Sequence, residues 1–287
     1  MDIKDILEEL TSNKIIPQAT IEYKRLTGGT TSSLYLLEEF NQERYVVKLN
    51  EPKVLEEEAY FLDFYKDNHF LTSLQYVDPS NRYIVYSFIP GSTSYVSGNK
   101  KEILQTLVRQ LINKYKIVPQ VDQWGWRDHL VESWRSFLLD RVLTANQVLN
   151  SYLEKGAFDL VFELVHSPNR NPCDKEPYLL HGDCGIHNFI FKENQLNGVI
   201  DPTPVLGDPI YDLIYAFCST PDDLTTETLN NAVSQFAFSE NKRGKPLYEE
   251  VLILLYLRIE TCIRHHPGDL EDYLKAWSYW VETVQLD

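Results

Sequence analysis

The sequence predicts an α+β protein: a small N-terminal antiparallel β lobe with one helix, followed by a larger, mainly helical C-terminal lobe. Three observations carry this. Up to residue 88 the apolar residues come in short strand-like runs separated by turn residues. From Lys100 onward they recur at helical spacing instead. One hairpin interrupts the helical half, and it gathers two acids and an amide at its open end. The boundaries read as residues 1–88 for the first lobe, 89–91 for a hinge and 92–287 for the second lobe.

A short helix over residues 2–13 opens the chain, with Ile3, Ile6, Leu7 and Leu10 at helical spacing. Residues 21–26 and 34–38 read as strands around Thr27-Gly28-Gly29-Thr30-Thr31-Ser32-Ser33. Gly28, Gly29, Ser32 and Ser33 either make a plain hairpin turn or bring backbone N–H groups and hydroxyls close to a phosphate. Residues 44–49 form the next strand. Alternation puts Val46 and Lys48 on one face and Val47 and Leu49 on the other. Residues 54–66 read as a helix whose early acids, Glu56, Glu57 and Glu58, suit its N-terminus. Lys48 is then either an exposed edge residue or the partner of one of these acids. Residues 75–77 and 83–88 are two further strands around Asp78-Pro79-Ser80-Asn81. Helices follow over 101–118, 129–142 and 146–165, then 211–218, 226–238, 247–264 and 268–284.

Residues 189–192 and 197–200 pair as a hairpin, with Glu193 to Leu196 as the turn. The hairpin returns Asp201 beside Asn188, with Asp183 just upstream. Oxygen-bearing side chains placed this way suit a hard cation that keeps water, such as Mg²⁺. One carboxylate is left free to act as a base.

Composition narrows the partners. With 27 basic and 42 acidic side chains the net charge is −15, which disfavours nucleic acid and anionic membrane surfaces. An acidic cleft would favour a cationic small molecule. The four cysteines contain no CxxC pair, so thiols in a reducing compartment are expected rather than zinc or redox chemistry. A charged N-terminus and an apolar run no longer than residues 251–257 point to a cytoplasmic protein. GxxxxGK[ST] does not occur.

A glycine turn, a strand lysine and a helix glutamate followed by an acid–amide–acid hairpin are the parts of a kinase-like phosphotransferase. His181-Gly182-Asp183 with Asn188, then Ile200-Asp201, then Gly207-Asp208-Pro209 with Asp212 and Leu213, resembles the aminoglycoside phosphotransferase and choline kinase group, which has the protein-kinase-like fold. The resemblance extends over nearly the whole chain. It implies Asp183 as catalytic base, Asn188 and Asp201 as Mg²⁺ ligands, and Lys48 on the α- and β-phosphates of ATP or GTP. Glu58, with Glu57 as the fallback, would hold Lys48. Ser87 and Ile89 would offer backbone groups to the base. His181 would pack the catalytic loop, and Asp208 and Asp212 would brace loops through backbone N–H groups.

Departures accompany the resemblance. The usual histidine two residues past the aspartate is replaced by Gly185, with His187 next to Asn188. Pro202 follows Asp201, and Cys184 takes a leucine position as packing. Only six residues separate Asp201 from Asp208, too few for a protein kinase's activation segment. The acceptor is therefore expected to be a small hydroxylated molecule, with Trp124, Trp126 and Trp134 as candidate pocket walls. An antibiotic, a sugar, an amino alcohol or a ketosamine would each serve, and a silent nucleotide-binding module is the remaining alternative.

Overall fold

The computed structural model describes residues 2–16, 22–26, 32–38, 43–167, 176–238 and 243–286. Alternation in the first part produces one antiparallel sheet. Its strands are β1 (Glu22–Arg25), β2 (Ser33–Glu38), β3 (Arg44–Leu49), β4 (Leu74–Val77) and β5 (Tyr83–Ser87), in the spatial order β1-β2-β3-β5-β4. Both faces are covered. Helix α1 (Ile3–Ser12) packs Ile3, Ile6 and Leu10 on Leu37, Val47, Tyr83 and Val85. Asp2 caps it, its side chain accepting from the Lys4 amide at 3.3 Å. The other face, with Leu36, Val46, Ile84 and Tyr86, meets helix α2 (Pro52–Phe64) in a core that continues through the helical half.

That half contains α3 (Lys100–Gln110), α4 (Trp134–Leu149), α5 (Ala157–His166), α6 (Ile210–Cys218), α7 (Thr226–Val233), α8 (Lys245–His265) and α9 (Leu270–Leu286). The fold is thus a mixed one, with an N-terminal antiparallel sheet and a larger helical part. Among the described residues no helix is long and apolar enough to cross a membrane.

Two corrections concern residues 129–165. His129–Val131 is a strand, β7, paired with β6 (Trp124–Trp126). The helix expected from residue 129 begins at Trp134, where the Ser133 hydroxyl accepts from the Ser136 amide at 3.0 Å. It then runs through residues 143–145, where a break was expected. The break falls instead over residues 150–156: α4 ends at Leu149, and Gly156, with φ of 96°, stands just before α5. Strands β8 (Tyr178–Leu180) and β11 (Val205–Gly207) carry no periodic signal in the sequence. They join β6 and β7 in a sheet ordered β7-β6-β11-β8. Strands of three residues are too short to display a period of two.

The hairpin is β9 (Phe189–Lys192) with β10 (Gln195–Val199). Its turn is shorter than expected. Glu193 and Asn194 form it alone, with φ of 52° and 61°, the left-handed pair that matches strand twist. Gln195 and Leu196, expected in the turn, pair with Lys192 and Phe191, and Asn197 is the extra residue at the register irregularity between Leu196 and Gly198.

Candidate functional site

Lys48 on β3 and Glu58 on α2 are 10 residues apart in sequence and face each other across the sheet–helix seam. Lys48 Nζ donates to Glu58 Oε2 at 2.6 Å, with both side chains 2% exposed. Nζ also contacts Asp201 Oδ1 from beyond the hairpin. Burial opposes the lysine's charge. Glu58 and Asp201 outweigh it and raise the Lys48 pKa above its usual value. Glu57, one position back, points elsewhere. It accepts from Arg127 Nε at 2.5 Å, and the Arg127 guanidinium lies 3.6 Å from the Tyr60 ring centroid. A step of one residue turns a helical side chain by about 100°, so adjacent glutamates must take different partners.

The segment 181–188 is held from beneath by Asp212 on α6. Its carboxylate is buried and accepts from the amides of His181 (2.8 Å) and Gly182 (3.1 Å) and from the Tyr115 hydroxyl (2.5 Å). Asp208 accepts from the Ile210 amide at 3.1 Å. His181 is fully buried. Its Nε2 lies 3.0 Å from the Ile200 carbonyl, and its ring packs edge-on to Phe61 of α2 at 5.7 Å. Gly182 has φ of 80°, and a Cβ there would lie 1.9 Å from the Thr203 carbonyl oxygen. The loop therefore passes where only glycine fits. Cys184 is buried, and burial raises its thiol pKa, consistent with packing.

Asp183 emerges at the surface of this platform with both oxygens engaged. Oδ1 accepts from the Tyr215 hydroxyl at 2.6 Å, and Oδ2 accepts from Asn188 Nδ2 at 3.0 Å. His187 Nε2 lies 3.2 Å from Oδ2. Burial works to raise the Asp183 pKa, but the hydrogen bonds and charge of His187 and the bond from Tyr215 outweigh it and lower the value to about 2. The group is an ionised acceptor at neutral pH. Sequence reading missed Tyr215. The available signal was its i, i+3 spacing from Asp212 on α6, which puts both on one face.

Asp201 closes the site, with φ of 62° and a half-exposed side chain. Asn188 spends its amide nitrogen on Asp183, which leaves its amide oxygen as the atom able to ligate a cation. Among the described residues no group of three or more His, Cys, Asp or Glu side chains could hold a metal alone. One carboxylate and one amide oxygen fit Mg²⁺, which completes its shell with water and nucleotide phosphates.

Other expected contacts are distributed as follows. Ser32 Oγ accepts from Asn50 Nδ2 at 2.8 Å, and Ser33 opens β2 opposite Leu49. Gly28 and Gly29 lie outside the described residues. The Ser87 amide donates to the Ser73 carbonyl at 2.9 Å and is spent within the fold. The side chain of Ile89 packs against Gly198. Trp124 and Trp134 are core residues, while Trp126 borders a cavity.

A compact sheet over a helical lobe, with a lysine–glutamate pair facing an acid–amide hairpin, defines the protein-kinase-like fold. The sequence profile of the phosphotransferase enzyme family matches residues 22–250, and the chain belongs to that family. It is similar in structure to a protein assigned as a fructosamine-3-kinase from Thermobifida fusca, at 13% identity over 100% of both chains with a TM-score of 0.64. Macrolide 2'-phosphotransferase MphH from Brachybacterium faecium matches at 13% identity over 95% of this chain and 97% of its own, TM-score 0.60. The ADP-bound aminoglycoside phosphotransferase APH(2'')-Ib matches at 20% identity over 97% of each chain, TM-score 0.57. Among curated proteins, none matches the chain by sequence.

Proposed function

We propose that the protein is a Mg²⁺-dependent phosphotransferase that moves the γ-phosphoryl group of ATP or GTP to a hydroxyl of a small molecule. The observation that carries this is the convergence of Lys48, Glu58 and Asp201 from positions up to 153 residues apart, beside a carboxylate held ionised at Asp183. The nucleotide lies between the lobes, here divided as residues 1–88 and 92–287 with 89–91 as the linker. The ADP-bound relative supports a nucleotide co-substrate. Gly28, Gly29, Ser32 and Ser33 approach its phosphates, and Ser87 and Ile89 meet its base.

Lys48 neutralises the inner phosphates, and Glu58 keeps it aimed. Asn188 and Asp201 hold Mg²⁺, which supplies charge stabilisation for the phosphates. The acceptor hydroxyl replaces a donor now on Asp183, and His187, with its side chain 55% exposed, is the donor free to withdraw. The hydroxyl oxygen bonds to the γ-phosphorus, the bond to the bridging oxygen breaks, and ADP or GDP leaves. The hydroxyl proton passes to Asp183. A carboxylate this acidic mainly orients the nucleophile, which suffices where bond-making lags bond-breaking.

Asp183→Ala should lower transfer by about 10²–10⁴-fold while nucleotide affinity stays near wild type. The assay is nucleotide consumption across hydroxylated amines, sugars, hydroxy acids and aminoglycosides. Unchanged transfer in the variant would sink the assignment. Nucleotide binding without consumption for any acceptor would leave the chain a silent binding module.

A further inference from the structure

One side chain away from Asp183, two arginines share a small cleft. Arg141 on α4 and Arg258 on α8 border it together with Tyr211 and Tyr215 of α6 and the apolar Leu254 and Leu257. The cleft holds about 20 Å³, room for one water-sized particle. Both arginines are half-buried. Arg82, Arg127 and Arg264 are each paired with a carboxylate. Among the described residues neither Arg141 nor Arg258 is, and no acid borders the cleft. Asp140 and Glu260 border the neighbouring cavity with Arg141, where Glu260 is occupied by Arg264.

Neutral groups hold both guanidiniums in place. Arg141 lies 5.3 Å from the Trp126 ring centroid and 5.7 Å from that of Phe137, and it donates to the Tyr211 hydroxyl at 2.6 Å. Arg258 donates through Nε to the Tyr273 hydroxyl at 2.9 Å, which itself donates to the Cys218 carbonyl at 2.8 Å. These contacts fix the planes without neutralising the charge. Each guanidinium has five N–H donors, and among the described residues these two bonds are the only ones they make to protein acceptors. Tyr211 adds a further donor. Its hydroxyl accepts from Arg141, and its own hydrogen has no acceptor among the described residues. Burial raises its pKa to about 12, so it keeps that hydrogen.

The lining therefore suits a ligand that accepts hydrogen bonds, carries negative charge and is close to one water in size. A water meets the size but brings two hydrogens of its own and no charge. Carboxylate, phosphate and sulfate meet the charge but exceed the volume. A monatomic anion meets all three conditions.

We propose that this cleft is a halide site, filled by chloride that is held by the guanidiniums of Arg141 and Arg258 and the Tyr211 hydroxyl. Two like charges drawn partly out of water repel, and a shared anion replaces that repulsion with charge-assisted contacts. The ion ties α4, α6 and α8 together where α6 presents Tyr215 to Asp183. The inference does not depend on the phosphotransferase reading.

The test is thermal melting of the full chain, without nucleotide, in sodium chloride or bromide against sodium gluconate at equal ionic strength. Gluconate is too large for the cleft. Chloride and bromide should raise Tm along a saturating curve, by about 3 °C or more at ten times their Kd. Arg141→Met and Arg258→Met should each flatten that response. Where one variant does not fold the other supplies the comparison. Crystals grown in bromide should show an anomalous peak between the two guanidiniums, and this peak decides where neither variant folds. Equal melting in halide and gluconate, or an equal halide response in a folded Met variant, overturns the proposal. So does a cleft that holds water in the bromide crystals. A bromide peak with no response in solution is an adventitious ion only, and overturns it as well. Because no transfer is measured, a halide-binding chain that never transfers phosphate would sink the phosphotransferase reading alone.

Discussion

His181 shows how a buried side chain sets a pH limit. Its Nε2 bonds the Ile200 carbonyl, and its Nδ1 is buried without a partner. A second proton would sit on Nδ1 with no acceptor, so burial lowers the pKa from 6.5 to about 4. Unfolded chains take up that proton as pH falls through 6.5, and the folded protein does not until about 4. Stability from this residue is therefore complete above pH 6.5. It declines by about 1.4 kcal/mol per pH unit below that, to a total of about 3 kcal/mol. Urea denaturation between pH 7 and 4.5 should show a shallower decline in His181→Gln than in the wild type. Parallel curves would exclude His181 as the source.

At the scale of an element, α2 links the two halves. Its Glu58 reaches up to the sheet. Its Tyr65 neighbour donates to the Leu179 carbonyl at 2.5 Å, and its Glu57 meets Arg127 in the β6–β7 turn. Glu58→Ala removes one member of a buried pair and leaves Lys48 charged, which should cost about 3 kcal/mol in stability. It should also weaken nucleotide binding. Glu57→Ala breaks a pair nearer water and should cost about 1 kcal/mol or less, with nucleotide affinity unchanged. Denaturant melts and nucleotide titrations of the two variants separate the roles. Equal effects on nucleotide binding would mean that the helix, rather than Glu58, positions Lys48.

The whole molecule has one continuous core from the inner face of the sheet through α2 into the helices, with the α1 cluster as an outer layer. A nucleotide bound between the halves is lost on unfolding. ATP with Mg²⁺ at a hundred times its Kd should stabilise the fold by about 2.7 kcal/mol, a rise in Tm of about 5 °C or more for a chain of this size. No rise with either ATP or GTP would argue against a nucleotide site.

By itself the sequence determined the order of the lobes, the faces of β3, the hairpin and its acid–amide–acid set. Each of these is a local pattern: a period of two or 3.6, a turn signal, or a motif within some twenty residues. It also placed Asp212 under the loop, through a motif fixed in spacing. Tertiary structure alone decided that Glu58 rather than Glu57 meets Lys48, since both are on the same turn and only packing against the sheet selects a face. Folding also made strands of residues 124–126, 129–131, 178–180 and 205–207, because segments so short are stabilised by their neighbours rather than by their own pattern. And it brought the Tyr215 hydroxyl onto Asp183 from α6. The i, i+3 spacing puts Tyr215 on the face of Asp212, but that this face meets Asp183 depends on how α6 packs under the loop, which is a property of the assembled core.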